Sequence, residues 1–254
     1  MSNYLELLKE FIKTDFQLRY KNSYLGLIWI VLKPLALFGV IYTVFSNIMA
    51  MDDDYMMSLL LGIMFITFFS EGVMMGLGSL MAKSGIILKI KFPREIVVFS
   101  SVTIGFIDFL INMIVFAVFT LFTPVVITLP SLLLFLVAIF SFYFLIMGMS
   151  LFLSVMFIKL RDLHNLMQVV LQLFFWATPI YYKLEMLPEK MQGIILLNPL
   201  TKILIAVRHG LITGGDVGLK DFISLAPITL VCILILFLGI LFFRNKVTKI
   251  AEYF

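Results

Sequence analysis

Apolar residues in this chain gather in blocks long enough to cross a bilayer, separated by short polar segments. Six blocks can be drawn, at about 27–48, 56–80, 96–122, 131–157, 165–182 and 222–243. Each is close to the roughly 20 residues that a helix needs to span a hydrocarbon core. The pattern predicts an all-α integral membrane protein, one domain over 1–254, with six transmembrane helices. An even number of spans places both chain ends on the same side.

The first block of the chain, 1–22, follows a different pattern. At 100° per residue, Leu5, Leu7, Leu8, Phe11, Ile12, Phe16 and Leu18 fall on one face, and Glu6, Lys9, Glu10, Lys13, Thr14 and Gln17 on the other. Such a helix lies in the membrane interface rather than across it. Asp15 and Arg19 interrupt the apolar face at i,i+4, a spacing at which they could pair with each other. A topology anchor is the simpler role for the helix, and a collar against a cytosolic partner is the other. The segment has no continuous apolar stretch of the kind a cleavable signal peptide carries.

Residues 183–221 are apolar in runs of only about seven to ten residues, cut by Asn198-Pro199 and by Arg208-His209-Gly210. A helical hairpin that dips into the outer leaflet and returns fits that pattern. Any non-helical backbone at its tip requires protein or water around it.

Charge gives the orientation. The chain has 19 Lys and Arg. Fourteen fall in the segments on the terminus side, at 9, 13, 19, 21, 33, 83, 89, 91, 94, 159, 161, 244, 246 and 249. The short opposite loops, AMDDDY and TPVVITLP, carry none, and the other five lie in 183–221. Cation-rich loops stay in the cytosol, so both termini are predicted to be cytosolic. This distribution argues against nucleic acid as a partner, despite a pI near 9.1. With 62% hydrophobic and 13% charged residues, the chain lacks the polar surface of a soluble domain. One cysteine, Cys232, and two histidines make neither an internal disulfide nor a metal site.

Few residues carry recognisable chemistry. MGLGSLMAKSG, 75–85, resembles a phosphate-binding loop but has Ala82 where glycine must precede the lysine, so no ATP site is expected in the chain. DDD at 52–54 contains the D-x-D spacing of some transferases, and a solvated acidic outer loop explains it better. Glu71 and Asp108 are acids deep in expected spans. Either they make hydrogen bonds between helices or they line a path. Gly72 and Gly76 after Glu71 form a G-x-x-x-G that permits close helix approach. Phe38, Tyr42 and Phe45 share one face of the first span, where they meet lipid or line a channel.

KSGIILKIKFPREI, 83–96, sits between two spans with four cations and one anion. Gly85 allows a turn after the second span. Ile86, Ile87, Leu88 and Ile90 offer apolar surface, Pro93 disfavours helix at Phe92, and Arg94 and Glu95 stand at the start of the third span. An apolar knob flanked by Lys89 and Lys91 suits docking into a partner's cleft, while the cations alone would suit anionic lipid.

Four segments in order resemble a known family: KTDFQLRYKNSYLGLIWIVLKPL (13–35), LKIKFPREI (88–96), VMFIKLRDLHNLMQVVLQLFFWATPIYY (155–182) and LNPLTKILIAVRHGL (197–211). They are similar to the motifs of ABC type-2 export permeases, in the branch that exports lipid-linked polysaccharides such as O-antigen and teichoic acid. Lys33 before Pro34, and IKLRD in place of an aromatic-rich R-D stretch, depart from the pattern. The resemblance implies a homodimeric permease channel in the bacterial inner membrane, with two copies of a separate cytosolic ATPase holding ATP and Mg. It implies no cofactor on this chain and a substrate glycan on undecaprenyl diphosphate. By the same resemblance, 83–95 (Ile86, Ile87, Lys89, Lys91, Phe92, Pro93, Arg94 and Glu95) couples to the ATPase. Phe11, Asp15, Phe16, Arg19 and Tyr20 belong to the interface helix. Asn198, Pro199 and Arg208 belong to an external gate, with Phe38, Tyr42, Phe45, Glu71 and Asp108 as candidate channel lining.

The alternatives are an ABC exporter of a drug or small lipid, a secondary transporter, and a membrane-embedded transferase. A secondary transporter should show internal repeats or broken spans with ion-binding acids at the midplane, and the chain has no convincing repeat. A transferase needs an acidic or histidine cluster, and only DDD offers one.

Overall fold

The computed structural model describes residues 2–21, 25–48, 54–123, 127–212 and 217–247. The regular secondary structure in them is helical: α1 Ser2–Tyr20, α2 Ile28–Ile48, α3 Tyr55–Ala82, α4 Ser84–Ile87, α5 Glu95–Thr120, α6 Leu129–Lys159, α7 Leu163–Ala177, α8 Glu189–Ile195, α9 Pro199–Leu211 and α10 Leu219–Val247, with one 3-10 turn at Leu184–Met186. The acidic loop DDD falls largely outside the described residues, as does the tip of the hairpin at 213–216.

Five helices, α2, α3, α5, α6 and α10, are long and apolar enough to cross a membrane. The fifth expected span, 165–182, is shorter than its apolar block. α7 has 15 residues and stops at Ala177, giving about 22 Å at 1.5 Å per residue against a core of about 30 Å. Pro179 is the cause. It forces the preceding Thr178 out of the helical region, to φ −92° and ψ 134°.

α3 is the central helix and is buried along most of its length. It runs antiparallel to α5. Phe68 faces Phe109 at 4.9 Å, and a side chain at Gly105 would sit 3.3 Å from the Gly72 backbone. A side chain at Gly76 would overlap Ser150 of α6. The Gly72–Gly76 pair therefore does allow the close approach its spacing predicts. α6 and α10 run parallel, through the contacts Ser141–Thr229, Gly148–Gly239 and Phe152–Phe242. A Cβ at Gly239 would lie 2.5 Å from the Gly148 carbonyl oxygen, so the two backbones touch directly there.

Local sequence explains the helix starts. Thr128 and Ser131 form a reciprocal capping box with Pro130 in the first turn of α6. Asn198 caps α9 by accepting from Leu200 N, with Pro199 as the first helical residue. The Asn198-Pro199 break is thus also a helix start, and α8 and α9 meet there at 98°. The second expected break is absent: α9 continues through Arg208-His209-Gly210 to Leu211. Gly85 provides no turn either. It lies inside α4, and among the described residues the glycine with positive φ is Gly26, at 40°.

Candidate functional site

α1 packs along α5, and the residues that break its apolar face are the ones that dock it. Asp15 and Arg19 do not pair with each other. Asp15 forms an ion pair with Lys83, at the end of α3, and accepts from Ser100 of α5 at 3.3 Å. Arg19 reaches Glu71 of α3 at 3.0 Å and Asp108 of α5 at 3.1 Å. The Tyr20 hydroxyl donates to both Asp108 oxygens at 2.8 Å. The i,i+4 spacing allows an internal pair, but side chains turned toward packed helices leave opposite charges there in need of partners, because an unpaired charge in the interior is costly. Burial, followed by the Asp108 charge, pushes the Tyr20 hydroxyl pKa upward. Burial pushes the Lys83 ammonium pKa down, with its hydrogen bond to Asp15 opposing that shift. Phe16 packs against Tyr20 with ring centres 4.9 Å apart and planes tilted by 60°.

Beyond this latch lies an open cavity of about 340 Å³. Arg19, Tyr20, Glu71, Asp108 and Asn112 line its polar side, with Trp29 and Lys33 of α2 also on the wall. Glu71 and Asp108, two separate acids in the sequence, are joined by one guanidinium into a single cluster. Asn112 donates to the carbonyls of Ile30 and Asp108, and its Oδ1 is buried with no partner among the described residues.

The segment 83–95 is tied down on two sides. Phe92 packs on Phe11 at 5.5 Å, and the Lys83 ammonium stands 4.7 Å over the Phe11 ring. Arg94 donates to the Val247 carbonyl at the end of α10, and Glu95 meets Arg244 at 3.3 Å. Within the segment, Ile87 is 4% exposed and belongs to the core, while Ile86, Leu88 and Ile90 are 43%, 55% and 62% exposed. Lys89, Lys91 and Pro93 are exposed beside them. Ile87 and Phe92, both in the expected coupling set, therefore face this chain, and the outward apolar knob is Ile86, Leu88 and Ile90. The one-turn helix α4 sets which isoleucine turns inward, and no periodicity over four residues could have revealed it.

Phe38 is buried against Tyr42 at 5.5 Å and Phe119 at 6.3 Å, so it packs within the bundle of this chain. Tyr42 stacks on Tyr55, and Phe45 touches Tyr181 at 5.1 Å, both half-buried. At the opposite end of the bundle, Arg208 is half-buried and donates to Ser58 O at 2.9 Å, Pro179 O at 2.6 Å and Ile180 O at 2.8 Å. Asn198 Nδ2 donates to Thr178 at 3.1 Å. Asn198 and Arg208 therefore staple the hairpin to the broken end of α7, with Pro199 starting the helix between them. Lys83 and Trp29 were missed as site residues. The signal for Lys83 was Asp15, an acid on an apolar helix face that needed a partner elsewhere.

The chain from 6 to 212 matches the ABC-2 type transporter family. An O-antigen export system permease protein RfbA of Klebsiella pneumoniae is 29% identical over 251 residues, covering 97% of this chain and 94% of that protein. A second Klebsiella pneumoniae protein of the same name is 28% identical over the same span. One from Myxococcus xanthus is 21% identical over 252 residues, 98% of this chain and 95% of that protein. The helical membrane bundle agrees with a match of this extent: the chain belongs to the ABC-2 type transporter family, as a multi-pass permease.

Proposed function

We propose that the chain is the channel subunit of an ATP-driven exporter that carries an undecaprenyl-diphosphate-linked polysaccharide from the cytosol across the bacterial inner membrane. The observation that carries this reading is the end-to-end similarity to permeases named for O-antigen export, 97% of this chain at 29% identity. Two copies form the channel, and two copies of a separate ATPase bind Mg and ATP below it. The permease itself is not an enzyme.

Three features support the assembly. Ile86, Leu88 and Ile90 form an exposed apolar knob between exposed lysines, a surface suited to a cleft on a cytosolic partner. α7 is too short to span alone and carries Asn165, Gln168 and Gln172 on its exposed side, next to Leu166, Leu173 and Trp176. Amides do not belong against hydrocarbon. A second copy, with a watered path between the two, supplies their surroundings. The 14 cations on the terminus side support a cytosolic position for both ends and the knob, with the α8–α9 hairpin outside as the gate.

The test is deletion of the gene followed by location of the glycan. Undecaprenyl-linked polymer should accumulate inside the cell and disappear from the surface, with both restored by the intact gene. Unchanged surface glycan in the deletion strain refutes the reading.

A further inference from the structure

We propose that the cavity between α1, α2, α3 and α5 is a subsite for a hydroxyl-bearing sugar ring of the cargo and not for its phosphate groups. The inference rests on the polysaccharide-export reading and adds which part of the cargo this cavity takes.

The first argument is charge. The inner wall carries two carboxylates, Glu71 and Asp108, against one guanidinium, Arg19, which both already engage at 3.0 and 3.1 Å. Lys33 brings the lining to neutrality. A diphosphate entering here would meet two carboxylates whose shared cation, Arg19, is already engaged, leaving Lys33 alone to balance its charge, an arrangement that disfavours it. A neutral sugar ring meets no such penalty.

The second argument is hydrogen-bonding type. Sugar hydroxyls both donate and accept. The lining offers acceptors on Glu71 and Asp108 and donors on Arg19 and Lys33. Asn112 is 5% exposed and holds the wall together by donating to the carbonyls of Ile30 and Asp108. The carboxylate oxygens of Glu71 and Asp108 accept from a sugar hydroxyl; an ionised phosphate has no proton to give them.

The third argument is shape. Trp29 lies on the wall, 43% exposed, with Ile30, Phe68 and Phe109 beside it. An exposed indole next to paired carboxylates offers an apolar face to the C–H side of a ring and polar groups to its edge. The volume, about 340 Å³, is at the small end of ligand pockets, suited to one ring and not to a length of polymer.

The test uses the complete permease–ATPase complex in nanodiscs, with Trp176→Phe leaving Trp29 as the single tryptophan of this subunit and any tryptophans of the ATPase replaced. Short-chain polyprenyl diphosphates bearing a hexose, an N-acetylhexosamine or no sugar are titrated, and Trp29 fluorescence is recorded. A saturable change is expected with a sugar-bearing compound, with the sugar-free compound binding about tenfold more weakly or worse, the loss of one good hydrogen bond. Glu71→Ala, which removes an acceptor from the lining, should weaken that preference. Equal responses with and without sugar would make this a phosphate site, and no response to either sugar would leave it a water-filled joint; each overturns the proposal. The comparison on the parent complex does not depend on any cavity variant folding. Loss of surface glycan on gene deletion, together with a silent Trp29, sinks the subsite and leaves the export reading standing.

Discussion

Arg19 and Asp108 meet at 3.1 Å, Arg19 from the end of α1 and Asp108 from the buried face of α5. Asp108 has only 8% of its side chain exposed, and its other polar contact to α1 is Tyr20. This pair holds the amphipathic helix against the bundle.

Arg19→Leu should therefore free α1 and leave an acid without its cation. Arg19 is 31% exposed, so solvent screens part of the pair, and the expected loss is about 1 kcal/mol, the usual size of a polar contact in a membrane bundle. Thermal unfolding in detergent reads it. Arg19→Lys should restore part of the stability, and combining Arg19→Leu with Asp108→Leu should cost less than the sum of the two. Strict additivity would show that the two residues do not cooperate.

The outward face of 83–92 makes a sharper prediction. Leu88→Asp and Ile90→Asp should abolish co-purification of the ATPase while the permease still inserts, because both side chains are more than half exposed. Ile87→Asp should instead lower yield, since it buries a charge among core residues. If ATPase binding survives Leu88→Asp and Ile90→Asp together, the docking surface lies elsewhere, with the exposed Arg161–Asp162 turn as the next candidate.

Arg208 predicts stability at the far end. Its guanidinium serves three backbone carbonyls from two elements. Lysine has the charge but not the planar fork. Arg208→Lys should lower the unfolding midpoint by an amount worth about 2 kcal/mol, from carbonyls left unpaired. Gly62→Ala should do the same from the other side, because a Cβ there would sit 2.8 Å from Arg208 Nη2. Wild-type stability in both variants would show that the hairpin is held some other way.

Topology is checked by single cysteines in a Cys232→Ala background. Lys190→Cys lies in α8 and Lys89→Cys in the knob, both at exposed positions. A membrane-impermeant thiol reagent should label position 190 in intact cells and position 89 only after lysis. The reverse pattern would invert the orientation.

Much of this molecule was legible without coordinates. Blocks of apolar residues placed α2, α3, α5, α6 and α10 within a few residues, because a spanning helix needs a fixed length of apolar chain. The short runs of 183–221 foretold a bent pair, since α8 and α9 cannot bury a full span each. The cations marked one side of the bundle because their placement depends only on local sequence. The tertiary structure alone decided which groups meet. It separated Asp15 from Arg19 and gave each a partner on α3 and α5. It turned Ile87 inward and Ile86 outward, and it closed Phe38 into the core. It also carried α9 through Arg208, whereas the early end of α7 at Pro179 is a local effect that the sequence already held. Helical periodicity reports which residues share a face, but not what that face will touch. The partners of Arg19 lie on α3 and α5, far along the chain, and only the packing of those helices brings their charges within reach.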